Sequence, residues 1–373
     1  MKLFAPFHLS AVYPLPSTAA ARFRTEFYVA PVILAVVVPT ILYLCRRVRP
    51  VIFGIAFFFI NIFLVLQLVT VGAALMADRY TYIPYIGLFF ALAWWLDEPA
   101  GARARFPAKP IAAGLFLLLL PISLVQTWNR CLVWKDPETF WNDTIKKYPG
   151  QIVDAYYNRG NHYMRIGRLE ESLADFDEAI VLNPGVQRIW YNKGLLLAQM
   201  NRNDSALVAF DHALKIAPTN VDALNNRGAM KYRKGDLAGS AADFTRVIEL
   251  SPMYRDGYSN RAFAYYDMQE YEKSAADRRK AIEVAPANPA NDEEYFWLAV
   301  ALQRLGRQQE AVAALDQAIR TARPGSTRLG RYHLSRAYSR ESLRDRAGAV
   351  ADAHEAQRLG EKVDPAFLHA IGG

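Results

Sequence analysis

The hydrophobic residues follow different patterns in the two parts of this chain. In residues 27–96 they run almost without interruption, with only five charged residues in seventy positions. From about Pro137 onward, charged residues recur every few positions. A mean hydropathy of −0.01 averages these two patterns and describes neither of them. The sequence therefore predicts an apolar part followed by a polar part.

Four apolar stretches predict membrane-spanning helices, at 27–45, 51–75, 80–96 and 110–128. Three of them have 19 or more uncharged residues. At 1.5 Å per residue, this length crosses a hydrocarbon core of roughly 30 Å. The stretch at 80–96 has 17 residues and begins with Tyr80, Tyr82 and Tyr85. A short span through an aromatic belt and a re-entrant segment both fit this stretch.

The basic residues between the predicted spans indicate an orientation. Arg46, Arg47 and Arg49 lie within five residues, and the loop 97–109 contains three further basic residues. Because Lys and Arg are enriched in cytoplasmic loops, we expect these two loops to be cytoplasmic. With four spans, segment 1–26 and all residues after 128 are then extracytoplasmic. The chain is expected to be an integral membrane protein, in the inner membrane if it is bacterial.

A 34-residue period organises the polar part. Gly160, Gly194 and Gly228 are 34 residues apart, and the same interval separates four prolines, at positions 184, 218, 252 and 286. This period is typical of the tetratricopeptide repeat (TPR), a pair of helices. The predicted repeats begin near residues 153, 187, 221, 255, 292 and 330.

The predicted fold class is all-α, with about four transmembrane helices followed by a TPR α-solenoid of six helix hairpins. A linker with a connecting helix is expected at 129–152, the solenoid at 153–360, and a C-terminal tail at 361–373. Small residues such as Gly160 let the two helices of a repeat approach each other. The large residues Phe176, Phe210 and Phe244 are expected to fill the space between hairpins, and the prolines to end each second helix.

Charged residues also recur with the repeat. A basic residue occupies the same position of the first helix in the first four repeats, and aspartates recur on the second helices. We interpret them as structural ion pairs within hairpins, formed by Arg159, Lys193, Arg227 and Arg261 with Asp175, Asp243 and Asp277.

One polar column is a candidate binding site. Position six of the first four repeats is asparagine, and Trp297 and Ser335 take that position in the last two. An asparagine amide can donate to a carbonyl and accept from an N–H of one extended peptide unit. Asparagine is also common at this position of TPR sequences, so a purely structural role is open. Aromatic residues, which are typical of interaction hot spots, flank the column. The predicted peptide-binding groove comprises Asn158, Asn192, Asn226, Asn260, Tyr157, Tyr191, Tyr232, Phe263 and Tyr266.

A second candidate site lies between the second and third apolar stretches. Two opposite charges, Asp78 and Arg79, are costly at a membrane boundary unless water hydrates them or they have a function such as binding. Arg79, followed by Tyr80 and Tyr82, could hold a lipid-linked phosphate through a bidentate contact. Interfacial anchoring by the tyrosines is the alternative. A membrane lipid is therefore a candidate partner of these four residues.

Motifs for other chemistry are absent from the sequence. No phosphate-binding loop, dinucleotide-binding loop, zinc-protease or nucleophile-elbow motif occurs, and the six histidines lack metal-ligand spacing. The two cysteines, Cys45 and Cys131, do not form a CxxC pair. The net charge of +8 includes the loop arginines, and no nucleic-acid-binding module accompanies it. We predict no cofactor, no metal, no catalytic residue and no nucleic-acid partner.

The order of motifs resembles a known family. The run MADRYTYIPYIGLF at 76–89 precedes two apolar stretches, then WKDPETFW at 134–141, then the TPR array. This arrangement, with PFHLSAVYP at 6–14, resembles the C-terminal portion of the transmembrane-and-TPR O-mannosyltransferase family. That family belongs to the GT-C class of membrane glycosyltransferases that use polyprenyl-phosphate sugars. The resemblance implies TPRs on the lumenal or periplasmic side, and a polyprenyl-phosphate sugar as a possible lipid partner.

Two functional hypotheses follow. The resemblance implies catalytic acidic residues in a first extracytoplasmic loop, whereas Glu26 stands alone before the first predicted span. The first hypothesis is a non-catalytic, membrane-anchored adaptor whose TPR groove binds extended protein segments. The second is the acceptor-binding C-terminal part of a GT-C glycosyltransferase, with the catalytic loop on another chain or in upstream sequence. Whether the chain takes part in an enzymatic reaction is left open.

Overall fold

The computed structural model describes residues 131–372 without a gap, and before them only residues 39, 40, 43, 52–54, 56, 57, 86, 121, 125, 128 and 129. Segment 1–26 and almost all of the four predicted spans lie outside the described residues. Within the described part, no helix has both the length and the apolar character needed to cross a membrane. The chain divides into two compact units, Met1–Pro184 and Gly185–Gly373.

The described part of the first unit contains three complete helices. They are α1 (Pro137–Lys147), α2 (Val153–Arg165) and α3 (Leu169–Leu182). The start of α1 follows from its sequence, because the Asp136 side chain accepts a hydrogen bond of 2.8 Å from the Thr139 N–H and Pro137 opens the helix. The predicted connecting helix is therefore α1. Helices α2 and α3 pack together as the first predicted hairpin.

The second unit is a series of helices that pack in consecutive pairs. The helices are α4 (Gln187–Gln199), α5 (Asn203–Ile216), α6 (Val221–Lys234), α7 (Leu237–Leu250), α8 (Arg255–Asp267), α9 (Tyr271–Val284), α10 (Asn291–Arg304), α11 (Gln308–Thr321), α12 (Leu329–Ser342), α13 (Arg346–Arg358) and α14 (Pro365–Ile371). The first helix of every pair begins within one residue of its predicted start. Helices α2 to α13 thus form the six predicted hairpins, and the all-α TPR solenoid fold is confirmed.

The recurring glycine and phenylalanine meet within each hairpin. A Cβ added at Gly194 would lie 2.6 Å from a ring carbon of Phe210, which is closer than carbon atoms can approach. Gly160 and Gly228 face Phe176 and Phe244 in the same way. The phenylalanines were expected between hairpins, whereas each one packs on the glycine of its own hairpin. Glycine is required here because the ring takes the place of a side chain.

The recurring prolines act as the sequence indicates. Helix α5 ends at Ile216, two residues before Pro218, and helix α9 ends at Val284, two residues before Pro286. The last turn of α5 is closed by a 2.9 Å bond from the Ala217 N–H to the Ala213 carbonyl. Proline cannot extend this series of backbone hydrogen bonds because it has no N–H group. Each second helix that a proline follows therefore ends at the same position of the repeat.

Ion pairs within hairpins are confirmed in three of the predicted repeats. Both oxygens of the buried Asp175 accept hydrogen bonds of 2.8 and 2.6 Å from Arg159. The same bidentate contact, again between residues 16 positions apart, recurs in the third, fourth and sixth repeats; it joins Arg227 to Asp243, Arg261 to Asp277 and Arg336 to Asp352.

The second and fifth repeats use other contacts at these positions. In the second repeat, Ala209 occupies the aspartate position, and the Lys193 ammonium lies 5.6 Å from the Trp190 ring centroid. In the fifth repeat the corresponding residues, Leu298 and Ala314, belong to one buried apolar cluster. The repeat fold therefore accepts either a charged or an apolar pair at this place.

The C-terminal segment, expected to be a tail, contains the short helix α14. Ile371 of this helix is 3% exposed and joins an apolar cluster with Ala349 and Ala353 of α13. The Phe367 ring lies 4.3 Å from the Tyr338 ring on α12. The segment thus covers the apolar end of the last hairpin, as terminal caps of repeat proteins do.

Candidate peptide-binding face

The first helices of neighbouring repeats contact one another along one face of the second unit. We call this the first-helix face and define it by α4, α6, α8 and α10. In TPR solenoids the equivalent surface is the concave one. Asn192, Asn226 and Asn260 take the same position on three of these helices. The structure thus places the predicted asparagine column of this unit on one surface.

Neighbouring polar side chains fix the amide groups of this column. The Asn226 amide nitrogen donates to the Asp222 carbonyl at 2.8 Å and to the Tyr191 hydroxyl at 3.3 Å. The Asn260 amide nitrogen donates to the Asn225 side-chain oxygen at 3.0 Å. Within the described part of the chain, the amide oxygens of Asn226 and Asn260 accept no hydrogen bond. Each oxygen is therefore held in place and remains available to a peptide N–H.

Two tyrosines of the face are held by hydrogen bonds between repeats. The Tyr232 hydroxyl on α6 donates to the Asp267 carboxylate on α8. Burial, together with this hydrogen bond, raises the pKa of Tyr232 to about 12. Burial also raises the pKa of Tyr191, whose hydroxyl accepts from Asn226. Both phenols therefore stay protonated at neutral pH and act as fixed polar groups.

An aromatic cluster follows the asparagine column at its C-terminal end. The Trp297 ring centroid lies 5.2 Å from that of Phe263 and 6.1 Å from that of Tyr266, both in edge-on arrangements. The Arg304 guanidinium donates to the Tyr266 hydroxyl at 3.2 Å. All three rings are only partly buried. Their exposed parts extend the face from an amide-lined region to an aromatic one.

A buried network of charged and polar side chains packs against Phe263 of this aromatic cluster. The Arg278 guanidinium lies 3.9 Å from the Phe263 ring centroid, and its Nη1 donates to Glu294 at 2.7 Å. The other Glu294 oxygen accepts from Ser259 at 2.6 Å and from Arg255 at 2.8 Å. Arg278 is 2% exposed, and this burial lowers its pKa. Arg278 therefore fixes one side of Phe263 and leaves the other side to the face.

The remaining predicted site residues lie elsewhere. Asn158 and Tyr157 are on α2 of the first unit, where the Asn158 amide donates to the Asp154 carbonyl at 2.7 Å and the Tyr157 ring lies 6.2 Å from Phe176. The four residues of the predicted lipid-phosphate site, Asp78, Arg79, Tyr80 and Tyr82, lie outside the described residues. Within the described part, no group of three or more metal-ligating side chains is placed to hold a metal ion.

The predicted site residues did not include Trp297 and Arg304 of this face, nor the buried Arg278 of α9 that contacts Phe263. The sequence does contain a signal for two of them. Trp297 interrupts the asparagine column, and Arg278 interrupts the column of Phe176, Phe210 and Phe244 at the same 34-residue interval. A departure from the repeat therefore marks the residues that form the aromatic cluster and its support.

Comparisons with known proteins agree with this fold. Family models of the tetratricopeptide repeat match residues 153–186, 187–220 and 260–327, so the chain contains TPR repeats. The first two matches begin and end where the 34-residue period places the first two repeats. No curated protein matches the sequence. The resemblance to O-mannosyltransferases finds no support in these comparisons.

Solved structures of TPR proteins are similar to this chain. The C-terminal part of a TPR protein from Cytophaga hutchinsonii aligns with a TM-score of 0.54 at 18% identity, over 62% of this chain and 92% of that one. A TPR protein from Parabacteroides merdae aligns with a TM-score of 0.44 at 17% identity, over 67% and 98% of the two chains. YrrB, described as a TPR protein with an unusual peptide-binding site, aligns with a TM-score of 0.44 at 17% identity, over 48% and 91%. The first of these similarities shows the fold.

Proposed function

We propose that this chain is a membrane-anchored adaptor whose first-helix face binds an extended segment of a partner protein. The observation that carries the proposal is the asparagine column of the second unit. Its amides recur with the repeat, and the oxygens of Asn226 and Asn260 have no internal partner within the described part of the chain. TPR proteins are a class of protein-interaction modules, and extended concave surfaces are the binding sites of such solenoids.

The chemistry of the face suits a peptide backbone. A hydrogen-bond acceptor that recurs once per repeat matches the regularly spaced N–H groups of an extended chain. Contacts of this kind read the backbone and are largely independent of the peptide sequence. The aromatic cluster around Trp297 adds a place where one apolar side chain of the peptide can pack. The amides therefore supply general affinity, and the cluster supplies selectivity for one residue.

The membrane anchor in this proposal is the apolar region 27–128. It rests on the four uncharged stretches and on the arginines between them, which favour an extracytoplasmic TPR region. The acceptor-binding role in a GT-C glycosyltransferase uses the same face and rests on the sequence resemblance alone. No contact among the described residues favours the glycosyltransferase over the adaptor.

Selection from a library of random peptides tests the binding function. The full chain in detergent is used to select binders, and the affinity of one selected peptide is measured by fluorescence anisotropy. We expect Asn226→Ala combined with Asn260→Ala to weaken binding about thirtyfold, because the two lost hydrogen bonds contribute about 1 kcal/mol each.

Gln309→Ala is the matched control, because this exposed amide lies on the second helix α11, away from the first-helix face. It is expected to leave the affinity unchanged. An equal affinity in the double variant and the wild type would show that the peptide does not use the asparagine column.

A further inference from the structure

Exposed apolar side chains are concentrated just before α1. Val125, Trp128 and Leu132 are 60%, 69% and 50% exposed, and Trp134 is 49% exposed. The first three positions are helical, and their spacings of three and four residues are those of side chains on one face of a helix. We call these four residues the exit stripe. It begins within the last apolar stretch, 110–128, and ends six residues past it.

The exit stripe is joined closely to α1. The Trp134 N–H donates to the Cys131 carbonyl at 3.1 Å, and the Lys135 N–H donates to the Leu132 carbonyl at 3.3 Å, which closes a turn. The next residue, Asp136, already caps α1. The chain therefore passes from the exit stripe to α1 through a tight, hydrogen-bonded turn.

The tryptophan of this turn is fixed by aromatic contacts. The Trp134 ring centroid lies 4.8 Å from that of Phe140, and the Phe140 ring lies 4.6 Å from that of Trp141, both edge-on. Phe140 and Trp141 belong to α1, so the Trp134 ring is packed against this helix. Half of the Trp134 surface nevertheless faces outward. The ring is thus held in place and still presents a large exposed surface.

A lipid bilayer is the partner that fits this stripe. Several large apolar side chains together on one surface indicate a contact that excludes water. The stripe begins within the 19 uncharged residues at 110–128, and Lys135, which is exposed, follows it. Tryptophan, with an apolar ring and one N–H, is enriched at the level of the lipid headgroups, and lysine commonly flanks it. Apolar residues followed by aromatic and then basic residues are typical of a chain that leaves a bilayer.

We propose that Trp128, Leu132 and Trp134 lie in the headgroup region of the bilayer and hold α1 against its surface. This inference rests on the membrane anchoring proposed above. It places the lipid–water boundary at Trp134 and Lys135, past the predicted end of the last span at residue 128. It also assigns Phe140 and Trp141 the role of positioning residues that fix Trp134.

Cys131 provides a probe in the middle of the stripe, since its thiol is free and exposed. Cys45→Ala leaves it as the single cysteine of the full chain, which is spin-labelled and reconstituted into phosphatidylcholine vesicles. Power-saturation electron paramagnetic resonance then compares the access of oxygen, which partitions into lipid, with that of a water-soluble nickel chelate. We expect the Cys131 label to be more accessible to oxygen than to the chelate.

The control label is at Ala238→Cys in a chain that also carries Cys45→Ala and Cys131→Ala. Ala238 is exposed on α7, and its label is expected to favour the chelate. Trp128→Ser combined with Trp134→Ser is expected to increase chelate access at Cys131. Val208→Ser, which removes an apolar side chain 56% exposed on α5, is expected to leave this access unchanged.

Alkaline carbonate extraction of the vesicles distinguishes a failure of the proposed membrane anchoring from a failure of this inference. Release of the chain would overturn the membrane anchoring and this inference together. Retention of the chain with a Cys131 label as open to the chelate as the Ala238→Cys label would overturn this inference alone. Retention with an oxygen-accessible Cys131 label supports both.

Discussion

The hairpin ion pair of the third repeat places a nearly buried carboxylate in contact with two cations. Asp243 accepts two hydrogen bonds from Arg227, and the Lys231 ammonium lies 2.9 Å away. A buried carboxylate that loses its main partner keeps the cost of its burial without the compensating attraction. The contribution of Arg227 to the free energy of unfolding therefore depends on the presence of Asp243.

We expect Arg227→Leu to lower the free energy of unfolding by about 2 kcal/mol. Adding Asp243→Ala is expected to restore most of that loss, because the fifth repeat already uses Leu298 and Ala314 at these positions. Urea unfolding followed by circular dichroism measures both values. Additive losses in the double variant would show that the two residues do not act as a pair.

Asp352 is the corresponding carboxylate of the sixth repeat. Burial raises its pKa, but hydrogen bonds from His333 and Arg336 and the charges of Arg336 and Arg340 outweigh burial and lower the pKa to about 2. Because the folded-state pKa lies below the unfolded value of 3.8, the carboxylate stabilises the fold at pH values above 3.8. This contribution is lost as the pH falls from about 4 through about 2.

The expected acid loss is about 2 kcal/mol for this one group. It is measured as the pH dependence of urea unfolding of the wild type and of Asp352→Asn. The variant is less stable at neutral pH and its stability should fall less steeply below about pH 4, since asparagine does not titrate. Parallel profiles for the two chains would assign the acid sensitivity to other carboxylates.

At the scale of elements, the contact between α9 and α10 differs from the other contacts between hairpins. Arg278 of α9 takes the place that Phe176, Phe210 and Phe244 hold in the earlier repeats, and it pairs with Glu294 of α10. Its Nε is buried and has no partner within the described residues. The desolvation of two buried charges offsets much of their attraction, so this junction gains little from the pair.

We expect Glu294→Ala to destabilise the second unit by about 3 kcal/mol, because Arg278 and Arg255 then lose their shared carboxylate. Replacing the pair with Arg278→Met and Glu294→Leu should recover much of the loss, because no unpaired charge is then left buried at position 278. Thermal unfolding of the two variants gives the comparison. If the apolar double variant is as unstable as Glu294→Ala, packing rather than charge limits this junction.

The aromatic cluster carries a prediction for binding. Trp297→Ala should weaken binding of the selected peptide about tenfold or more, as truncation of an aromatic anchor does at protein interfaces. Trp297→Asn should weaken it less, because an asparagine at this position extends the column by one repeat. Anisotropy with the same labelled peptide measures both, and Gln309→Ala again serves as the control. Equal affinities of all three variants would place the peptide away from α10.

The hairpins could be predicted from the sequence because their determinants are local. Gly194 and Phe210 lie 16 positions apart, and the proline that ends a second helix lies within the same repeat. The support of Phe263 could not be predicted in this way, because Arg278 and its partners Phe263 and Glu294 lie on three different helices and no spacing rule joins them. Helix α14 was missed for a related reason, since its apolar residues find their partners on two other helices, α12 and α13.

At the scale of the whole molecule, each described helix hairpin has buried apolar residues of its own. The buried apolar residues from Ile152 to Ile371 belong to the helix hairpins and their cap. We therefore expect a fragment 137–373 to be expressed alone as a helical domain with cooperative unfolding. Circular dichroism during heating tests this. A fragment without a cooperative transition would show that the fold depends on residues before Pro137.

The separation along the chain between bonded residues has a consequence for synthesis. Hydrogen bonds within hairpins join residues 16 positions apart, such as Arg159 and Asp175. Those between hairpins join residues 16 to 40 positions apart, such as Arg278 to Glu294 and Asp292 to Tyr332. A repeat can therefore complete its contacts soon after it leaves the ribosome or a translocation channel, without waiting for the C-terminus. The newly made chain then exposes the apolar surface of about one hairpin at a time, which limits the time in which it can aggregate.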